Sequence, residues 1–195
     1  MYPYIETVRI ENGKIENLVY HNRRLNATRR TVLGATNDLD LVEYINPILY
    51  LKRTKCRVEY KDTIISIDYT PYCMRSINTL KWVVCDEADY RYKSSNRSTL
   101  NRLFTQRKEA DDILIIRNGL LTDTSICNVA LWDGVSWITP DKPLLCGTMR
   151  AKLLDSGVII PGDIHLDDLG NFSRLCLFNA MIDFGDMELP INAIL

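Results

Sequence analysis

Residues 113–139 read ILIIRNGLLTDTSICNVALWDGVSWIT, and this segment is the most informative about the fold. Apolar runs alternate in it with the dipeptides Asn118-Gly119 and Asp133-Gly134. Dipeptides of this kind favour the tight turns of β-hairpins. The stretch therefore predicts an antiparallel meander. Its strands are predicted at 113–117, 120–121, 126–132 and 136–139.

The flanking sequence predicts a mixture of helices and further strands. Asn12-Gly13 lies between strand-like runs at 4–10 and 15–20, which predicts a first hairpin. Helices are predicted at 23–33 (ended by Gly34), 39–51 (interrupted at Pro47), 98–106 and 148–156, the last with Arg150 exposed and Leu153 inward. Further strands are predicted at 57–60, 63–69, 80–85 and 174–182. Because the elements do not alternate regularly, the fold class is α+β.

The domain boundary is expected in the stretch 70–78, which lacks a clear period. Residues 1–77 then form a small N-terminal α+β domain, and residues 78–195 form a larger, β-rich C-terminal domain. A chain of 195 residues is long enough to bury a real core in two small domains.

Composition excludes several classes of protein. Lys and Arg total 24 against 25 Asp and Glu, a net charge of −1 that gives no global signal for nucleic-acid binding. No apolar run approaches the ~20 residues of a membrane span. The N-terminal segment has no apolar core typical of a secretory signal. We therefore expect a cytoplasmic protein with no nucleic-acid or membrane partner.

The cysteines do not predict a metal site. The six cysteines form no Cys-x-x-Cys pair, and the chain has only two histidines, so the spacing of zinc ligands is absent. We expect buried, reduced thiols and no bound metal.

Three local features carry chemistry, each with an ordinary alternative. Gly147 and Thr148 lie at the start of a predicted helix, where backbone N–H groups can bind an anion such as phosphate; alternatively, Thr148 is only a helix cap. Lys93 lies between a predicted strand and helix, where it could form a Schiff base or simply be a surface lysine. Asp123 is an acid within a strand meander, and the alternative is a local turn cap.

Taken together and in order, these features resemble the class IV aminotransferase family, the pyridoxal-phosphate enzymes of fold type IV. The resemblance covers nearly the whole chain. Its motifs are Glu6-Thr7-Val8-Arg9, His21-x-x-Arg24-Leu25, Lys93-x-x-Asn96-Arg97, Gly119 to Asn128, Thr139-Pro140, Gly147-Thr148-Met149-Arg150 and Asn179-Ala180.

The resemblance implies a role for each candidate site residue. Lys93 is implied as the lysine that forms a Schiff base with pyridoxal 5'-phosphate, and Asp123 as the acid that faces the pyridine nitrogen. The implied phosphate ligands are Arg24, Thr148 and Met149. Asn128 is implied to support the site, and Asn179 and Ala180 to line its substrate side. The resemblance also implies a homodimer.

The reaction implied is either transamination or elimination from an aminodeoxychorismate-like substrate. Asn96-Arg97-Ser98, where branched-chain enzymes carry a tyrosine, points toward the 4-amino-4-deoxychorismate lyases. Asp123 departs from the glutamate usual in the family by one methylene. Two other possibilities stay open: a cofactor-binding or regulatory protein that has lost catalysis, and a nucleotide-phosphate binder that uses 147–150.

Overall fold

A computed structural model describes residues 2–195 of the chain. Its internal contacts divide the chain into two compact units. The first comprises the chain up to Met74 together with Tyr92–Asn96, and the second comprises Arg75–Arg91 and Arg97–Leu195. Lys93 thus packs with the first unit. The division between residues 77 and 78 stays a prediction of where the domains end.

The first unit contains a four-stranded antiparallel sheet in the order β2-β1-β3-β4. Its strands are Tyr4–Glu11 (β1), Lys14–Ile15 (β2), Thr54–Tyr60 (β3) and Ile64–Pro71 (β4). Asn12 and Gly13 have φ of 52° and 70°, as the predicted two-residue hairpin turn requires. One face of β1 packs into the core of the unit with Leu25 and Val58.

A helix follows this hairpin earlier than the sequence predicts. Helix α1 spans Leu18–Thr28 and continues as a π-helix over Arg29–Leu33, which ends at Gly34 with φ 71°. The strand predicted at 15–20 is therefore wrong beyond Ile15. Asn17, with φ 53°, ends the extended chain and begins the helix.

The second predicted helix of this unit is also wrong over most of its length. Only a 3-10 turn at Leu41–Glu43 forms within 39–51, and the Asp40 side chain accepts a hydrogen bond from the Val42 N–H at its start. Pro47 has no N–H to continue a helix, and its carbonyl instead closes a turn with the Tyr50 N–H.

The second unit contains a larger sheet in the order β10-β9-β8-β7-β6-β5, with β11 paired to β8 and β12 paired to β11. The strands are Leu80–Val84 (β5), Asp112–Arg117 (β6), Leu120–Thr124 (β7), Asn128–Trp132 (β8), Trp137–Pro140 (β9), Ile160–Gly162 (β10), Arg174–Phe178 (β11) and Glu188–Pro190 (β12). Its helices are Ser98–Phe104 (α2) and Thr148–Asp155 (α3), with 3-10 turns at Thr105–Arg107, Leu166–Asn171 and Ile191–Ala193.

The predicted meander is confirmed as β6 to β9. Asn118 and Gly119 have φ of 50° and 76°, which matches the turn that the dipeptide favours. The predicted strand at 174–182 ends at Phe178, because Asn179 begins a turn. In this turn the backbone N–H groups of Asn179 and Ile182 each donate to the carbonyl of the other residue. Strands with interspersed helices confirm the α+β class. Over 2–195, no helix is both long and apolar enough to cross a membrane.

Candidate functional site

Asp123, on β7, is a buried carboxylate whose hydrogen-bond donors are neutral. Its Oδ1 accepts a hydrogen bond from the Asn128 side-chain amide at 2.9 Å, and its Oδ2 accepts one from the Leu145 N–H at 2.8 Å. The residue as a whole has 6% exposure. Burial raises the pKa of Asp123 to about 7, although the bonds from Asn128 and Leu145 oppose this rise. A cation beside Asp123 would therefore stabilise its charged form, and without such a cation burial favours the protonated form.

The pKa of Asp123 predicts how the ligand-free protein responds to pH. The folded pKa of about 7 exceeds the ordinary value of 3.8, so the native state binds a proton that the unfolded state has lost. The stability that this group contributes is complete below the ordinary pKa and is lost as pH rises through the folded pKa. We expect it to fall by on the order of 3 kcal/mol.

Denaturant unfolding at several pH values checks this expectation against Asp123→Asn, which has no proton to lose. The wild-type protein should lose stability relative to this variant as the pH rises from 4 to 8. Parallel pH profiles of the two proteins would contradict the assignment.

Asn128 donates a hydrogen bond to this carboxylate, and its own side chain packs closely against the backbone at Leu145 and Gly147. Its side-chain amide also donates to the Leu145 carbonyl at 2.8 Å. A Cβ added to Gly147 would stand 1.9 Å from the Asn128 Oδ1. Only glycine therefore fits at position 147 while Asn128 keeps its place beside Asp123.

We expect Gly147→Ala to displace Asn128 and to destabilise the protein by about 3 kcal/mol, since overpacking and a broken buried hydrogen bond each cost free energy. Thermal or denaturant unfolding measures the change. The control is Gly170→Ala, where the added Cβ meets no heavy atom within 4 Å and φ is not in the left-handed region. That variant should change stability by less than about 0.5 kcal/mol. Equal effects at the two glycines would refute the close approach.

The predicted anion-binding residues begin α3. Gly147 is the N-cap of the helix and offers no side-chain cap, so the interpretation of Thr148 as the N-cap is wrong. Thr148 and Met149 lie in the first turn and are buried. The first turn of a helix presents N–H groups and a partial positive charge, both of which favour an anion.

Arg150, on the same helix, was predicted to be exposed and is buried instead. Its Nη2 donates to the Pro140 carbonyl at 2.8 Å, and its Nε has no hydrogen-bond partner. Its charge opposes the rise in the pKa of Asp123. The helix therefore brings a buried cation near the buried acid, which the helical pattern alone did not predict.

Asn179 uses its side chain to hold two turns. Its Oδ1 accepts hydrogen bonds from the Met181 and Ile182 N–H groups at 2.8 and 3.1 Å. Its Nδ2 donates to the Ile126 carbonyl at 3.2 Å, in the turn between β7 and β8. Ala180, next to it, is half-buried. The structure thus ties Asn179 to the turn after Asp123, and its predicted contact with substrate stays a prediction.

In the first unit, Arg24 lies in a buried ionic cluster with Glu6 and His21. The Arg24 Nε and Nη2 donate to the two carboxylate oxygens of Glu6 at 2.8 and 2.6 Å. The His21 Nδ1 lies 2.6 Å from the Glu6 Oε2. Burial raises the pKa of Glu6, but the charge of Arg24 and the bonds from His21 and Arg24 outweigh it and lower that pKa to about 2. Glu6 is therefore an anion at neutral pH.

The backbone of Lys93 and Ser94 pairs with β1 beside Glu6. The Lys93 carbonyl accepts a hydrogen bond from the Ile5 N–H at 3.1 Å, and Ser94 pairs with Tyr4. The pKa of His21 is lowered first by burial and also by the charges of Arg24 and Lys93, against the bond to Glu6. Lys93 has φ 52°, a left-handed conformation that is uncommon for a side-chain-bearing residue. Strain of this kind concentrates at functional sites.

The structure therefore presents the candidate residues as two local groups. Asp123, Asn128, Thr148 and Met149 lie in the second unit with Asn179 and Ala180, and Arg24 and Lys93 lie in the first. The sequence predicted no role for Glu6 or His21 and did not predict the close approach of Gly147 to Asn128. One signal could have revealed Glu6, because it shares the inward face of β1 with Tyr4, Val8 and Ile10.

None of the six cysteines, all of which the structure describes, forms a disulfide, and they are not all buried. Cys73 and Cys146 are exposed, whereas the other four lie in the interior. Burial raises the pKa of Cys127, which neighbours Asn128, to about 12, so its thiol is protonated and acts as packing.

The chain resembles known proteins over nearly its whole length. The sequence model of the family described as amino-transferase class IV matches residues 4–187. An uncharacterized protein of Haemophilus influenzae is 40% identical over 186 residues, which are 93% of this chain and 98% of that protein.

Two solved structures show the same fold. A protein of Haemophilus somnus, for which 4-amino-4-deoxychorismate lyase activity has been proposed, is 35% identical with a TM-score of 0.85 over 94% of this chain and 98% of its own. A hypothetical aminotransferase from Mycobacterium tuberculosis, in its PLP-bound form, gives a TM-score of 0.76 at 15% identity over 94% of this chain and 79% of its own. The second likeness concerns the fold alone.

Proposed function

Because the chain belongs to the class IV aminotransferase family, we propose that it is a pyridoxal-phosphate-dependent enzyme acting on a small amino compound. The observation that carries this proposal is the buried carboxylate of Asp123, which has only neutral donors and a pKa near 7. A protonated pyridine nitrogen is the kind of cationic donor that would stabilise its charged form.

Other residues also fit this cofactor. The first turn of α3, with the buried Thr148 and Met149, suits its phosphate. Arg24 supplies a guanidinium of fixed orientation for the same anion. Lys93 supplies the amine for its aldehyde and is held in a strained backbone. When bound, pyridoxal phosphate supplies an aldehyde that combines with amines and a ring that accepts the electron pair of a breaking bond.

The residues of this chain then have distinct tasks. Asp123 keeps the pyridine nitrogen protonated, and Asn128 holds Asp123 in place. Arg24, Thr148 and Met149 bind the phosphate. The Lys93 Nζ takes a proton from the substrate and returns it to the product. In this proposal a single amine, that of Lys93, carries out both proton transfers.

We place 4-amino-4-deoxychorismate first among substrates, which would give 4-aminobenzoate and pyruvate. The 35% identity to the Haemophilus somnus protein over 94% of the chain supports this choice. The second candidate is transamination between an amino acid and a keto acid, supported by the family description itself. The comparisons lend nothing to the alternative of a protein that has lost catalysis.

The test combines two assays on the purified protein loaded with pyridoxal phosphate. One incubates it with 4-amino-4-deoxychorismate and measures 4-aminobenzoate and pyruvate; the other uses a panel of amino and keto acids. Product in the first assay alone supports the lyase, and product in the second alone supports the transaminase. Product in neither assay counts against both.

Borohydride reduction of the loaded protein and peptide mapping test the site itself. The reduced cofactor is expected on Lys93. Attachment at another lysine would overturn the assignment of Lys93, whichever substrate the enzyme takes.

A further inference from the structure

Glu6 is a buried charge in the first unit that the proposed function leaves without a task. Its carboxylate has no solvent exposure, and it lies on the inward face of β1 among apolar side chains. A buried anion is costly unless it is fully paired. Glu6 is paired with two side chains of α1, Arg24 and His21, so the charge is retained by a specific arrangement.

The geometry of this arrangement fixes Arg24. Two parallel hydrogen bonds, at 2.8 and 2.6 Å, join the Nε and Nη2 of Arg24 to the two oxygens of Glu6. A bidentate pair of this kind sets the plane and direction of the guanidinium, which a single contact would not. The His21 Nδ1, 2.6 Å from the Glu6 Oε2, in turn holds the carboxylate. The orientation of Arg24 therefore depends on Glu6.

The guanidinium keeps some access to solvent. The Arg24 side chain has 12% exposure, whereas Glu6 has none. An arginine held on one side by a buried carboxylate can offer its other N–H groups to an anion without losing its direction. The phosphate of the cofactor is the anion that the proposed function assigns to Arg24.

We propose that Glu6 is a positioning residue that orients the Arg24 guanidinium toward the phosphate of the cofactor and so makes binding selective for the phosphorylated ligand. This inference rests on the proposed function. It gives Glu6 no contact with substrate or with the reacting atoms. It predicts that replacing Glu6 weakens the binding of the phosphate group of the ligand and not the binding of its ring.

The test compares the affinities of the protein for pyridoxal phosphate and for pyridoxal, which lacks the phosphate, by absorbance titration. Glu6→Gln keeps the shape of the side chain but offers only one acceptor oxygen. We expect it to weaken pyridoxal phosphate binding by about 10- to 100-fold, the range of a lost charge-assisted hydrogen bond. Binding of pyridoxal should change by less than about 3-fold.

Two further variants separate positioning from a general structural effect. Glu11→Gln makes the same chemical change on the same strand, at a part-exposed glutamate that pairs with Arg53 at 3.3 Å, and should leave both affinities unchanged. Arg24→Met should lower the preference for the phosphorylated ligand at least as much as Glu6→Gln does, and adding Glu6→Gln to Arg24→Met should lower this preference no further.

Glu6→Asp keeps the buried charge while shortening the side chain, so it tests the same preference if Glu6→Gln does not fold. It should also reduce the preference for the phosphorylated ligand. Equal weakening of both ligands by the Glu6 variants, or no weakening, would overturn the inference while leaving the proposed function in place. A wild-type protein that does not bind pyridoxal phosphate would instead refute the proposed function.

Discussion

Under the proposed function, Lys93→Ala is expected to lose at least about 1,000-fold of the wild-type turnover with whichever substrate the two assays select, since Lys93 would both attach the cofactor and move the proton. The absorbance band of the cofactor attached to the protein should also be lost, because the variant lacks the amine proposed to form the Schiff base. Steady-state kinetics and absorbance spectra of the two proteins measure both effects.

The backbone at Lys93 provides the control for this prediction. Lys93 has φ 52°, which costs a residue with a side chain roughly 1 kcal/mol and costs glycine little. Lys93→Gly should therefore be more stable than Lys93→Ala by about 1 kcal/mol and equally inactive. Inactivity together with retained stability shows that the amine, and not the fold, has been lost.

Two results would contradict the role of Lys93. Turnover above about a tenth of wild type in Lys93→Ala would place the reacting amine elsewhere. Alanine and glycine variants of equal stability would show that the left-handed backbone carries no strain. The first result bears on chemistry and the second only on conformation.

Local signals predicted the parts of the fold that local chemistry decides. Asn12-Gly13 and Asn118-Gly119 adopt positive φ at both residues, and such turns need no distant contact to form. The hairpins that they join were therefore predictable. The beginning of α1 was not, because residues 15–20 can form either a strand or a helix, and the left-handed Asn17 decides between them.

Tertiary contacts decided the elements that the sequence did not predict. Arg150 is buried because its guanidinium meets the Pro140 carbonyl, a partner that no helical pattern reveals. The apolar residues of segment 39–51 are spaced as in a helix. The segment instead adopts a series of turns, in which Ile48 and Leu49 are exposed. Periodicity reports which residues are apolar and not what covers them.

The candidate site divides in the same way. The residue types at 93, 123 and 148 were visible as a motif in the sequence. The contacts that support these residues were not visible in the sequence. Position 147, for example, requires glycine because of the Asn128 side chain, which is distant along the chain. The ionic partner of Arg24 lies on β1, 18 residues away in sequence. Supporting contacts of this kind depend on the fold and are seen only in the structure.

Asp123→Asn is expected to lower turnover by about 100- to 1,000-fold, which is the scale of losing one charge-stabilising group in a buried site. Asparagine has nearly the same size, and its oxygen can still accept the bond from the Leu145 N–H. Its amide is neutral, so it cannot hold a proton on the pyridine nitrogen. Measured turnover and the pH dependence of the cofactor's absorbance report the two consequences separately.

Asp123→Glu is the matched variant, since it keeps the charge and adds one methylene. The Asp123 carboxylate accepts hydrogen bonds from the Asn128 amide and the Leu145 N–H at 2.9 and 2.8 Å, so we expect a longer acid to displace one of these donors. We expect it to bind the cofactor less tightly than wild type and to turn over faster than Asp123→Asn, because charge matters more than reach. If Asp123→Asn equals wild type, or if the glutamate variant is the slower of the two, the carboxylate does not act on the ring nitrogen.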